Sequence, residues 1–157
     1  MTRLTHLDDE GQAMMVDVGE KPLTNRKATA EGWIFLQDTT LQAITEGTVA
    51  KGEVLTTARI AGISAAKRTA DLVPLCHPIP LDVVEINMGI EMGRGVHVQA
   101  TARAHWRTGV EMEAITATMA TLLTLYDMVK AIDREAEISA IRLLEKQGGK
   151  SGDWTRD

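Results

Sequence analysis

Side chains that could bind an anion or carry a proton are concentrated in residues 51–78 of a chain whose net charge is −5. Residues 54–69 have the composition of a helix built from small residues, and Pro74 ends it because proline cannot continue a helix. A stiff turn follows, in which His77 stands between Cys76 and Pro78. Cationic side chains bind anions, and imidazole changes its charge near neutral pH. We therefore interpret this stretch as half of an active site for an anionic, phosphorylated substrate.

Lys51 precedes a glycine and what we predict to be the start of a helix. By spacing alone it is a solvated lysine; the functional hypothesis is a proton donor, or a phosphate contact near the positive helix end. Cys76 and His77 are adjacent in an extended turn and point apart, so they do not form a nucleophilic pair. We predict a small buried residue at Cys76 and a hydrogen-bond donor or proton carrier at His77.

A long helix over residues 111–132 carries the second group of candidates. Residues 108–111 match a capping box, which gives Glu111 a structural role. Glu113 has no such structural explanation, so it is the stronger candidate for a functional role. Asp127 and Lys130 are three positions apart on one helix face. An ordinary surface ion pair is the default interpretation, and a carboxylate that orients a lysine acid or base is the functional one.

The length of this helix constrains how the candidates can act together. Glu113 and Lys130 are separated by about 25 Å at about 1.5 Å per residue. Both cannot touch one small substrate within one subunit. Either only one end is functional, or the site is assembled between subunits.

The elements that must position these residues follow from hydrophobic periodicity. The predicted strands are residues 14–18, 28–37, 84–91, 96–105 and 138–146, and the predicted helices are residues 40–46, 54–69 and 111–132. Without the first strand and the short helix over residues 40–46, the order is β-α-β-β-α-β, which is typical of an α+β ferredoxin-like sandwich, an antiparallel sheet with helices packed on one face. We predict a flexible N-terminal arm over 1–12, a single catalytic domain over 13–157, and a flexible end over 147–152.

Composition excludes several classes of protein. The chain has 157 residues with 44% hydrophobic content, enough for one domain with a core. Its acidic balance argues against nucleic-acid partners, and its single cysteine fits a reducing cytoplasm. We find no apolar segment typical of a signal peptide or a membrane span. The histidines lack zinc-ligand spacing, so no metal site is predicted.

Several blocks of this sequence resemble the molybdenum cofactor biosynthesis protein C family, the cyclic pyranopterin monophosphate synthases. The blocks that carry the resemblance are residues 15–18, 51–52, 57–62, 65–69, 74–78, 108–114, 126–128, 130–131 and 148–152. The resemblance covers nearly the whole chain, and a chance match to all of these blocks is very improbable.

The resemblance implies a ferredoxin-like fold and a homohexamer built as a trimer of dimers. It implies that a radical S-adenosylmethionine enzyme supplies 3′,8-cyclo-7,8-dihydroguanosine triphosphate. The family rearranges this compound to cyclic pyranopterin monophosphate and releases diphosphate, as a phosphorus–oxygen lyase of molybdenum cofactor biosynthesis. No cofactor is required, and whether magnesium accompanies the triphosphate is left open.

Carried over by position, the resemblance implies that Lys51 and Lys130 are the acid/base lysines, with Asp127 beside Lys130. Such lysines would have a pKa lowered by neighbours and partial burial. The implied substrate-contacting residues are Leu75, Cys76, His77, Met112, Glu113, Arg26, Lys67 and Lys146. The choice between Lys146 and Lys150 stays open.

Together with the helix length, this leads us to expect a shared site. One wall would consist of Lys51, Lys67 and His77, while Asp127 and Lys130 would come from a neighbouring subunit. The alternative hypothesis is a non-catalytic nucleotide-binding regulatory module, a common use of ferredoxin-like folds.

Overall fold

A computed structural model describes residues 7–157 as an α+β sandwich. One antiparallel sheet has the strand order β2-β3-β1-β4-β5, which confirms the ferredoxin-like arrangement with one short strand added at an edge. The elements in chain order are β1 (Thr24–Phe35), α1 (Asp38–Glu46), α2 (Val54–Ala66), α3 (Thr69–Leu72), β2 (Val83–Glu91), β3 (Gly95–Trp106), α4 (Glu111–Val129), β4 (Glu137–Gln147) and β5 (Trp154–Thr155).

The core lies between the sheet and the helices α2 and α4. Strands β1 and β3 pair with Ala28 opposite Ala102 and Ile34 opposite Val96, and all four residues are fully buried. Because side chains alternate along a strand, every second residue of these strands faces the helices. Helix α4 packs on the sheet through a mixture of apolar residues and threonines, and Thr118 and Leu122 both lie against Gly32 of β1.

The small residues of α2 allow it to pack closely on α4. Ala58, Gly62 and Ala66 recur every four positions and are all buried. A Cβ atom added at Gly62 would overlap the side chain of Thr121 on α4. Helix α2 therefore crosses close to the middle of α4.

Four local predictions differ from the structure. Residues 14–18 form no strand, since the pairing before β1 is the isolated bridge between Leu7 and Ala13. The predicted helix over residues 54–69 ends at Ala66 and is followed by the separate short helix α3. Residues 147–152 form a turn that leads into β5, which pairs with β4. The turn is possible because glycines 148, 149 and 152 have positive φ angles.

The capping prediction before α4 is also wrong, because no side chain caps the first turn of this helix. The division into residues 1–12 and 13–157 stays a prediction, and residues 1–6 of the expected arm lie outside the described residues. No helix within residues 7–157 is long and apolar enough to cross a membrane.

Candidate functional site

Three of the predicted site residues meet at the C-terminal end of α4. Lys51 Nζ lies 2.8 Å from Asp127 Oδ2 and also donates to the backbone carbonyl of Asp127 at 2.6 Å. Lys130 Nζ lies 2.8 Å from Asp127 Oδ1. One carboxylate therefore holds two ammonium groups, and we call these three residues the lysine–aspartate cluster.

The loop between α1 and α2 brings Lys51 to this position. Helix α1 ends at Gly47 and the loop turns again at Gly52, both with positive φ angles. The buried side chains of Val49 and Val54 anchor the loop on either side of Lys51. The ammonium group then reaches the negative C-terminal end of α4.

The electrostatics of the lysine–aspartate cluster are those of an exposed ion pair. The hydrogen bond from Lys130, followed by that from Lys51, lowers the pKa of Asp127 to about 2. The same carboxylate raises the pKa of Lys130. The expectation that neighbours lower the pKa of the catalytic lysines is therefore wrong for Lys130 in a single chain.

A pocket of about 420 Å³ lies at the opposite, N-terminal end of α4, and we call it the acid pocket. It brings together the predicted residues from the stiff turn and from the start of α4. Its lining consists of Val16, Val18, Lys21, Leu75, Cys76, His77, Ile79, Thr108, Gly109, Glu111, Met112 and Glu113.

Glu113 is the most unusual titratable group in the acid pocket. Only 3% of the residue is exposed, and burial raises the pKa of its carboxyl group to about 7, with a further contribution from the charge of Glu111. Burial and the nearby Glu113 also raise the pKa of the half-buried Cys76 thiol. At neutral pH Glu113 can therefore hold or release a proton, while Cys76 is a poor nucleophile.

The acid pocket continues into a wider, basic region of about 730 Å³, which we call the cationic cleft. The two share Lys21, Thr108, Gly109 and Glu111. The cationic cleft is lined by Lys21, Pro22, Thr24, Arg26, Arg107, Thr108, Gly109, Glu111, Lys146, Gly149, Lys150 and Ser151. Five cations face one carboxylate here, so the cleft is suited to a polyanion.

The assignment of Glu111 as a capping residue is wrong, and Glu111 instead lines both the acid pocket and the cationic cleft. Its carboxylate does not cap α4; it lies against Gly109 and within 3.6 Å of Lys146 Nζ. Lys146 also donates to Ser151 Oγ at 2.8 Å. Lys146 and Lys150 both line the cationic cleft, so the structure keeps both candidates.

The structure corrects how the predicted residues are grouped. Lys51 contacts Asp127 within one chain, so the expectation that Asp127 reaches it from a neighbouring subunit is wrong. His77 lies instead in the acid pocket, at the other end of α4. Lys67 is exposed at the end of α2 and does not line the acid pocket or the cationic cleft.

Further lining residues were not found from the sequence. Lys21 lines both the acid pocket and the cationic cleft, and Arg107 follows the end of β3. A signal for Arg107 existed, since it stands directly before the block that includes Glu113. Within residues 7–157, no three His, Cys, Asp or Glu side chains are placed to hold a metal ion. The absence of a metal requirement stays a prediction.

Comparison with known proteins gives one consistent result. A sequence model of the MoaC family matches residues 15–149. A protein from Thermomicrobium roseum named cyclic pyranopterin monophosphate synthase is 54% identical over 158 residues, which cover 100% of this chain and 95% of that protein. Proteins of the same name from Brucella ovis and Brucella canis are 56% and 55% identical over 153 residues, covering 97% of this chain and 93% of each.

Proposed function

The chain belongs to the MoaC family, and on this premise we propose that it converts 3′,8-cyclo-7,8-dihydroguanosine triphosphate to cyclic pyranopterin monophosphate with release of diphosphate. Family membership makes it an enzyme, a lyase. The name shared by its relatives supports a role in molybdenum cofactor biosynthesis. We place the reaction in the cytoplasm, where a radical S-adenosylmethionine enzyme would supply the substrate.

The observation that carries this proposal is the continuity of the acid pocket with the cationic cleft. A nucleotide triphosphate has a ring system at one end and several negative charges at the other. The cationic cleft offers Arg26, Lys146 and further cations to the phosphates. The acid pocket next to it offers Glu113 and His77 to the ring system.

The release of diphosphate assigns a task to the cations. A sugar hydroxyl oxygen forms a bond to the α-phosphorus, and the bond from that phosphorus to its bridging oxygen breaks. Diphosphate leaves with the electron pair, and a base takes the hydroxyl proton. Cations held around the phosphates stabilise the negative charge that develops on the leaving group.

Rearrangement of the ring system needs several proton transfers, and two kinds of group are available. Asp127 pairs with Lys51 and Lys130 and fixes the direction of their ammonium groups, so both groups can be presented to the substrate as proton donors. Glu113 can accept and return a proton near neutral pH. We propose that the lysines and Glu113 divide the acid and base steps.

We propose further that each site is shared between two copies of the chain. The lysine–aspartate cluster and Glu113 lie at opposite ends of α4, so one chain alone does not offer both to one substrate. Exposed apolar side chains beside α4 form a surface suited to contact between copies, namely Leu72, Met112, Met119 and Leu123. A trimer of dimers remains the proposed assembly, and no cofactor requirement is proposed.

The test is turnover of the authentic cyclised triphosphate by the purified chain. Phosphorus NMR should show diphosphate and a cyclic phosphate, and mass spectrometry should show the pyranopterin. The Lys51→Ala variant should lose turnover while keeping the assembly of the wild type. Saturable binding of the triphosphate without any product would instead favour the non-catalytic regulatory module.

A further inference from the structure

A buried aspartate, Asp133, lies just beyond the C-terminal end of α4 and close to the lysine–aspartate cluster in the chain. Only 1% of this residue is exposed. Its backbone N–H donates to the carbonyl of Val129 at 3.0 Å, and the N–H of Lys130 donates to the carbonyl of Tyr126 at 2.9 Å. The turn after α4 is therefore hydrogen-bonded to the helix, so the Asp133 carboxylate has a fixed place relative to the end of α4.

This carboxylate reaches the start of α1. Its Oδ2 accepts a hydrogen bond from the backbone N–H of Gln37 at 2.9 Å, and the side chain of Gln37 itself makes no capping hydrogen bond. In a capping box this N–H would be bonded by a Glu or Gln three residues later, but α1 has Thr40 there. Asp133 supplies the acceptor from 96 positions away, at the positive end of the α1 dipole.

Helix α1 leads directly to the loop that carries Lys51. The helix has nine residues and is about 14 Å long, and the loop after it brings Lys51 Nζ within 2.8 Å of Asp127 Oδ2. Two contacts therefore join the same two segments. Asp133 holds the start of α1, and Asp127, in the last turn of α4, binds the lysine that follows α1. Because the loop begins where α1 ends, the placement of α1 affects the position of Lys51.

The second carboxylate oxygen of Asp133 shows that this arrangement has a cost. Its Oδ1 is buried and has no hydrogen-bond partner among residues 7–157. Buried polar atoms are nearly always hydrogen-bonded, and an unpaired one destabilises the fold. A capping side chain within α1 would stabilise that helix without this cost. Departures from such rules are expected where a residue serves function.

We propose that Asp133 is a positioning residue that holds α1 against the end of α4 and thereby keeps Lys51 in contact with Asp127. Its effect on turnover rests on the proposed function, whereas its effect on the contact between Lys51 and Asp127 does not. Misplacement of a catalytic group by about 1 Å can lower a rate by two orders of magnitude. The cationic cleft lies at the other end of α4, so loss of Asp133 should change kcat and leave KM nearly unchanged.

The first test is steady-state turnover of the cyclised triphosphate by the full chain, at a temperature at which all variants are folded. Asp133→Ala should lower kcat about tenfold or more, with KM within twofold of the wild type. Asp133→Asn keeps an acceptor for the N–H of Gln37 and should recover most of that loss.

Asp38→Ala is the matched control. Asp38 lies in the first turn of α1, but its Oδ1 accepts from the backbone N–H of Gly93, in the turn between β2 and β3, at 2.6 Å. This variant removes a hydrogen bond from the same helix start without affecting the link to α4, so it should keep the wild-type kcat. An equal loss of kcat in Asp38→Ala would overturn the proposal, since any loosening of α1 would then have the same effect.

A second test does not depend on turnover. Carbon-13 NMR of protein labelled at the aspartate carboxyl carbons follows the titration of Asp127, whose signal is assigned with Asp127→Asn. In the wild type the hydrogen bonds from Lys130 and Lys51 lower the pKa of Asp127 to about 2. Loss of the Lys51 contact in Asp133→Ala should raise the pKa of Asp127 towards its ordinary value. Removal of the Asp133 charge alone would act in the opposite direction, because one negative charge fewer lowers the pKa of a carboxyl group.

A purely structural Asp133 would give a different pattern. Asp133→Ala would then lower the thermal unfolding temperature, while the kcat of the folded protein and the titration of Asp127 would match those of the wild type. That result overturns the proposal, and so does an unchanged titration of Asp127 at any value of kcat. If the wild type releases no diphosphate from the cyclised substrate, the proposed function fails, and the titration still decides whether Asp133 keeps Lys51 in place.

Discussion

The two ends of α4 carry carboxylates with opposite properties. Asp127 is exposed and holds two lysines, and its pKa falls to about 2. Glu113 is buried and has no cationic partner among residues 7–157, and its pKa rises to about 7. Fourteen residues of helix separate them, a distance of about 21 Å.

The difference shows that environment, and not residue type, sets what an acid can do. Asp127 stays ionised at any physiological pH, and it pairs with Lys51 and Lys130 in the folded chain. Glu113 changes its protonation state near neutral pH, so it can take part in proton transfer. One end of the helix therefore carries a carboxylate whose charge is constant near neutral pH, and the other carries one whose charge changes there.

The largest expected effect is the loss of the ammonium group at the C-terminal end of α4. Lys130→Ala should lower kcat by about a thousandfold, the size of a lost acid/base group. The measurement is steady-state turnover of the cyclised triphosphate. Lys27→Ala, which removes a lysine paired with Glu145 on the sheet, serves as the control; equal losses in both variants would refute a special role for Lys130.

Mixing inactive chains tests whether the two ends of α4 serve one site from different subunits. Reassembly of Lys51→Ala with Glu113→Gln chains should restore roughly a quarter of the sites, because intact halves then come from different copies. Lys51→Ala with Lys130→Ala should restore none, since both residues contact the same Asp127 within one chain. Equal recovery in both mixtures, in demonstrably mixed oligomers, contradicts this grouping.

The buried end of α4 should make stability depend on pH. Between pH 4.5 and about 7 the folded chain holds a proton on Glu113 that the unfolded chain has released, so stability falls as pH rises through this range. The rise in the pKa of Glu113 corresponds to a decrease in the free energy of unfolding on the order of 3 kcal/mol across this pH range. Urea unfolding across this range should show a weaker dependence in Glu113→Gln than in the wild type, and parallel curves would argue against a raised pKa.

A buried aspartate just beyond the C-terminal end of α4 connects this region to the start of α1. Asp133 is 1% exposed, and its Oδ2 accepts a hydrogen bond from the backbone N–H of Gln37 at 2.9 Å, at the start of α1. Asp133→Ala should lower the free energy of unfolding by about 2 kcal/mol because that buried donor loses its acceptor. Asp133→Asn keeps an acceptor and should lose less; equal losses in urea unfolding would exclude the hydrogen bond as the cause.

The smallest effect on stability is expected when the exposed carboxylate of Asp127 is removed. Its lowered pKa means that the contribution is present above pH 3.8 and is lost as pH falls through about 2. Exposed ion pairs contribute little, so Asp127→Asn should leave the thermal unfolding temperature at pH 7 unchanged while turnover falls. A clear drop in that temperature would show that the lysine–aspartate cluster is structural.

Much of the fold could be predicted from periodicity. Alternation identified β2 and β3 to within one residue, because each strand has one buried and one exposed face. The N-terminal residues 14–18 alternate too weakly to decide between a strand and a wall of the acid pocket. Helix ends were harder to predict. A capping box is a local pattern, but the side chain of Glu111 lies near Lys146, a residue distant in sequence, and not at the helix cap.

The sequence by itself determined which chemical groups are present, the family blocks that contain them, and the separation of Glu113 from Lys130 along one helix. The last of these follows from the fixed rise of an α-helix. Only the tertiary structure decided that Lys51 joins Asp127, because their contact spans 76 positions and depends on how the α1–α2 loop packs. Burial is likewise a property of the folded chain, so the raised pKa of Glu113 and the link from the buried Asp133 to α1 could not be read from residue types.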